Sequence, residues 1–154
     1  SISIISLVGG AASASVIGTV GFAALAGQAT ALRAAGVPIF RDPGSGTAQD
    51  PALDIEPEYI SVSPDATRAY VTLQEVNAVA VLDLTNTSAT APLAILPLGF
   101  VDRSLAGNAF DPSDQNGISL VNAPVRSLLQ PDALASFTIG GVTGLHLGVL
   151  GTDI

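Results

Sequence analysis

The sequence predicts a mainly β fold of short antiparallel strands, and three observations carry that expectation. The run IEPEYISVSPDATRAYVTLQEVNAVAVLDL, from Ile55 to Leu84, reads as three consecutive strands joined by tight turns. Apolar residues make up 48% of the 154 positions but aromatics only 5%, so a core must be built from Ala, Val, Ile and Leu. The 16 Gly and 10 Pro suit many turns and few long helices.

Residues 1 to 32 hold no charged side chain, and the first is Arg33. Such a run is long enough to be weighed as a membrane span, with its small residues able to pack helices closely. Against that, Ser and Thr interrupt the hydropathy, and Ser1-Ile2-Ser3-Ile4 begins a strand-like alternation. The preferred reading is a strand at Ser1 to Val8, a second at Ser13 to Phe22, and a helix at Ala23 to Ala35. Leu25, Ala29, Leu32 and Ala35 recur at helical spacing, and Gly36 supplies a left-handed cap.

Phe40 to Asp54 is a Gly-, Pro-, Ser- and Asp-rich loop without the Gly spacing or Lys of a phosphate loop. Beyond it come strands at Glu58 to Ser63, Ala69 to Leu73 and Ala78 to Leu84, with a fourth at Leu93 to Leu98. Ser63-Pro-Asp-Ala-Thr and Glu75 to Asn77 provide the turns. Four short strands within about 45 residues is the period of a radial blade repeat. A long irregular stretch from Gly99 to Gln130 carries at most a brief strand at Ile118 to Val121. Ala133 to Ile139 and Val142 to Val149 then form a hairpin across Gly140-Gly141, a pair suited to the positive φ of a tight primed turn.

The expected architecture is therefore one partial domain of β-propeller-like blades with one short helix near residues 23–35. The blade-like units fall at about 1–40, 55–98 and 118–154, with long loops at 41–54 and 99–117. About three blades make an incomplete ring, because closure needs at least about four. The open edges call for more copies of the chain or for the remainder of a longer propeller. A chain opening on Ser1 rather than Met fits a removed leader or a larger product.

Charge narrows the partners. Five Arg and no Lys stand against ten Asp and three Glu, for a formal charge of -8. Nucleic acid is excluded as a partner on that balance, since phosphate binding needs clustered cations. The absence of Cys removes disulfides and thiolate metal sites. With a single His, zinc is disfavoured as well. His146 is expected on a strand, buried or at an edge, rather than as a catalytic base.

Two acidic groups are candidate cation ligands. Asp111, Asp114 and Asn116, followed by Gly117, place oxygen ligands at positions 1, 4 and 6 of a sharp turn, as a calcium loop would. The competing reading is an Asx-rich turn whose side chains bond their own backbone. Glu56 and Glu58, with Asp54, alternate onto one side of an extended segment, where they could bind a cation or act as acid and base. The plainer reading of that trio is a solvated strand start.

The segments LRAAGVPIF (32 to 40), EPEYISVSPD (56 to 65), AYVTLQEVNAVAVLDL (69 to 84), PLGFVDRSLAGNAFDPSDQNG (97 to 117) and QPDALASFTIGG (130 to 141) occur in this order. Together they resemble the choice-of-anchor I family, bacterial secreted or surface β-propeller proteins related to YVTN-type repeats. The resemblance implies an extracellular or cell-surface location and a larger closed propeller. It also implies varied C-terminal anchors, and in some members a phosphatase or esterase label. The chain departs from the pattern at Ala123, at Leu128-Leu129 and in its final segment GLHLGVLGTDI.

Two functions follow from these readings. One is a structural or adhesive surface module, calcium-stabilised and self-associating. The other is a metal-dependent phosphoesterase using Glu56, Glu58 and Asp111 to Asp114 around calcium. The charge balance favours the first, because a phosphate site collects cations that this chain lacks.

Overall fold

The computed structural model describes residues 1–40, 50–113, 115 and 117–148. It is mainly β, with antiparallel sheets and one α-helix among the described residues. Most of the linker expected at 41–54 lies outside the described residues.

Strands β1 (Ile2–Ser6) and β2 (Ser15–Val20) form an antiparallel pair with a bulge at Ile4/Ile5. Both are shorter than the alternation suggested, because Gly9 and Gly10 take positive φ and Ala11–Ser13 closes a 3-10 turn. The expected helix is also trimmed at its front. Ala23–Leu25 winds as a 3-10 turn, Gly27 at φ 75 breaks the path, and α1 spans only Ala29–Ala34. Its end matches the expectation. Gly36 has φ 92, its N–H bonds the Arg33 carbonyl, and the Val37 N–H reaches back to Leu32, which is a Schellman cap. Among the described residues no helix is long and apolar enough to cross a membrane.

The central unit is a four-stranded antiparallel meander of β3 (Ile60–Val62), β4 (Arg68–Leu73), β5 (Ala78–Asp83) and β6 (Ala94–Pro97). Its strand set agrees with the four segments expected, in the order of the chain. Ala69, Val71, Leu73, Ala78, Ala80 and Leu82 share one face through the β4–β5 register. That face joins Ile2, Val20, Phe22, Val37 and Ile39 in one buried cluster, so the first unit of the chain covers it. Thr72, Val79 and Val81 lie on the opposite face and are also buried. A strand buried on both faces reads as a continuous apolar run, and Ala78 to Leu82 does.

The second cover comes from the C-terminal hairpin, β9 (Ala133–Ile139) with β10 (Val142–Gly148), turning at Gly140-Gly141. Ser61 of β3 shares a face with Tyr70 and Val81. Its hydroxyl accepts the Ser136 N–H at 2.9 Å, and the Ser136 hydroxyl donates to the Val62 carbonyl at 2.6 Å. The hairpin is thus tied to β3 by side-chain bonds rather than by a ladder. On its far side the Phe137 ring lies over Gly144, where any Cβ would collide with it. The irregular stretch is pinned by a short pair, β7 (Val101–Asp102) with β8 (Arg126–Ser127). The brief strand expected at Ile118 to Val121 shrinks to one bridge between Phe110 and Val121.

Aspartates close the turns by a recurring device. Asp65 accepts from Thr67, Asp83 from Thr85 and Asp102 from Ser104, in each case from both the backbone N–H and the hydroxyl two residues on. These bonds stabilise the charged form. The carboxyls of Asp65, Asp83 and Asp102 are held below their ordinary value, led by the hydroxyls of Ser63, Thr85 and Ser104 in turn.

Candidate functional site

The carboxylates with the most unusual surroundings gather where β3 begins. The Glu58 N–H donates to the Thr72 carbonyl and the Tyr59 N–H to the Thr72 hydroxyl, which lays this segment along β4. Both Glu56 and Glu58 are exposed, as a solvated strand start would be. The Glu58 carboxyl is nevertheless pushed above its ordinary value, first by partial desolvation and then by the charges of Glu75, Asp132 and Glu56.

Glu75 and Asp132 enter this group through tertiary structure. Glu75 lies in the β4–β5 turn, and its Oε2 is buried with no hydrogen-bond partner. Asp132 precedes β9 and accepts a hydrogen bond from Gln74 Nε2, which anchors the hairpin base to the same turn. The sequence points to Asp132 only as an ion-pair brace of the long loop, and neither acid is legible there as a neighbour of Glu58, since 58 positions separate Gln74 from Asp132. Among the described residues, no three His, Cys, Asp or Glu side chains converge closely enough to hold a metal ion.

Asp114 and Asn116 of the proposed calcium loop lie outside the described residues. Asp111 is exposed, and both its carboxylate oxygens accept backbone bonds, Oδ1 from Ser113 at 3.2 Å and Oδ2 from Ser119 at 3.0 Å. That is the Asx-turn arrangement around Asp111. The surrounding loop is braced by Arg103, whose Nε donates to the Ser127 hydroxyl at 2.8 Å and whose guanidinium lies 5.5 Å from the Phe110 ring centre. His146 stands exposed on β10. Arg68 pairs with Asp83 at 2.8 Å, directly across β4 and β5.

The polar centre of the molecule is Asn77, which ends the β4–β5 turn at φ 47 and is almost fully buried. Its amide nitrogen donates to the Gly99 carbonyl, and its Oδ1 accepts from the Leu129 and Gln130 N–H groups at 2.8 and 3.0 Å. One side chain thereby joins the blade to both ends of the long irregular stretch.

A blade-like meander with a covering unit on each face, joined in this way, is the frame on which the comparison with known proteins rests. The model of the choice-of-anchor I domain matches residues 1–146. The chain belongs to the choice-of-anchor I domain family. Choice-of-anchor domains are generally associated with cell-surface or secreted proteins, and the match extends the earlier resemblance to the first two strands. Searches of curated proteins and of solved structures return no significant match.

Proposed function

We propose that this choice-of-anchor I domain is a structural or adhesive module at the outside of a bacterial cell, working through association rather than catalysis. The observation that carries the reading is the apolar surface on its two terminal hairpins. Leu7, Val8 and Val16 on the first, and Ile139 and Val142 on the second, are more than half exposed. Exposed apolar residues of this kind mark sites of association, and strand edges that no described strand pairs add backbone donors and acceptors beside them. Either further copies of the chain or the remainder of a longer propeller would cover that surface.

Calcium belongs to this reading as a weakly held counter-ion. Repulsion of the Glu58 carboxylate by Glu75, Asp132 and Glu56 favours a divalent cation beside it. Water would complete its shell, since hard cations take six to eight oxygen ligands.

Sedimentation of the purified chain over a wide concentration range tests the association. Reversible oligomers that dissociate in an Ile139→Ser, Val142→Ser double variant are expected. A strictly monomeric chain at all concentrations overturns self-association. An added calcium titration of thermal stability tests the counter-ion, with no shift relative to magnesium as the refuting result.

A further inference from the structure

The end of α1 and the segment leaving β6 flank an open cleft of about 700 Å³. Val37, Pro38, Ile39, Leu98, Phe100 and Leu128 supply its apolar lining. That volume falls within the range of about 300–1,000 Å³ typical of small-molecule sites, and a mostly apolar lining with few polar groups is their usual composition. The cleft is also braced. Gly99 and Leu129, which adjoin its lining residues Leu98, Phe100 and Leu128, are both bonded to the buried Asn77 side chain.

Charge supplies the second observation. The chain has a formal charge of -8 and only five Arg, yet Arg33 lines this cleft and Arg126 stacks on Phe100, one of its lining residues. Arg33 lines it, with its Nε donating to the Ile39 carbonyl at 2.7 Å. Arg126 stacks on the Phe100 ring, its guanidinium carbon 4.1 Å from the ring centre. Arg126 is exposed and lies opposite Asp102 in the β7–β8 pair. A planar guanidinium held on an aromatic face keeps its N–H fork in plane and ready for a carboxylate.

We infer that this cleft binds an apolar monocarboxylate of roughly medium-chain fatty-acid size, its hydrocarbon part against the apolar walls and its carboxylate at Arg126. The charge argument selects the ligand class: an anion is repelled by most of this acidic surface and attracted here. This site is separate from the association surface on the terminal hairpins and does not depend on it.

Octanoate and 1-octanol are the probes, followed at low salt by calorimetry and by methyl shifts of Val37, Ile39, Leu98 and Leu128 on the full chain. Octanoate is expected to shift those methyls saturably and to bind more tightly than the alcohol. Arg126→Gln is expected to weaken octanoate about tenfold, the loss of one charge-assisted contact, while leaving 1-octanol unchanged. Equal binding of the two probes, octanoate binding indifferent to Arg126→Gln, or shifts only outside the cleft each overturn the inference. So does concentration-dependent shifting of the cleft methyls without probe, which would show a second copy of the chain seated there. Arg126 is an exposed side chain, so circular dichroism of the variant should match the parent. If it does not, octanoate against octanol on the parent still decides.

Discussion

The side-chain amide of Asn77 donates to the carbonyl of Gly99 at 2.6 Å, across 22 positions of sequence. The same side chain takes the N–H groups of Leu129 and Gln130, more than 50 positions away. Its own backbone carbonyl accepts from Leu98. Asparagine tolerates positive φ better than most residues, and its amide has both a donor and an acceptor to offer. Both properties are used here.

Replacing Asn77 separates these contributions. Asn77→Gly keeps the backbone conformation but strands two N–H groups and a carbonyl, and is expected to cost about 2–4 kcal/mol in urea unfolding. Asn77→Ala should cost about 1 kcal/mol more, because a Cβ is strained at this φ. Asn77→Asp retains the acceptor but loses the donor and buries a charge, so it should be no more stable than the Gly variant at neutral pH. A loss within experimental error for all three would remove Asn77 from the centre of the fold.

Gly18 packs β2 directly on the Thr87 carbonyl oxygen, and a Cβ there would overlap backbone rather than a movable side chain. The Gly21 N–H bonds the Thr90 carbonyl at 2.9 Å along the same contact. Gly18→Ala is expected to destabilise by about 1–3 kcal/mol. The readout that locates the effect is amide exchange, which should speed first in Ile2–Ser6 and Ser15–Val20.

Ser136→Ala removes the hydroxyl that donates to Val62 and that lies 3.0 Å from the Ser61 hydroxyl. A cost of about 1 kcal/mol is expected, with faster proteolysis of the C-terminal hairpin. A two-stranded hairpin is marginal without such support. Unchanged proteolysis would show that apolar contact through Leu134 suffices.

The acids respond to pH in opposite senses. Asp65, Asp83 and Asp102 have folded pKa values below the ordinary 3.8, so the stability they contribute is complete above that pH. It is lost as pH falls through their lowered folded values. Glu58 has a folded pKa above its ordinary 4.5, so its contribution is complete below pH 4.5 and is lost as pH rises through the raised value. Thermal melts of Glu58→Gln should therefore match the parent near pH 4 and exceed it at pH 7. An Asp65→Asn variant should show the reverse, losing stability at pH 7 and converging with the parent in acid.

The sequence by itself determined the strand-rich class, the meander, the Gly36 cap and the Gly140-Gly141 hairpin. Each rests on neighbours within a few positions, where side-chain alternation and turn chemistry act directly. Strand ends were less legible, because Gly9, Gly10 and Gly27 interrupt patterns that hydropathy alone would extend. Only the tertiary structure decided which acids share a field and what the polar centre is. Asp132 enters the field of Glu58 because β9 folds over the β3–β4 face, and Glu75 because the segment entering β3 lies along β4 beside its turn, while Asn77 looks like any turn residue until the chain returns to it from both directions. The cleft has the same origin: Arg33, Phe100 and Arg126 are unremarkable in sequence, and long-range packing alone brings Arg33 into the lining of one apolar hollow and Arg126 onto its Phe100.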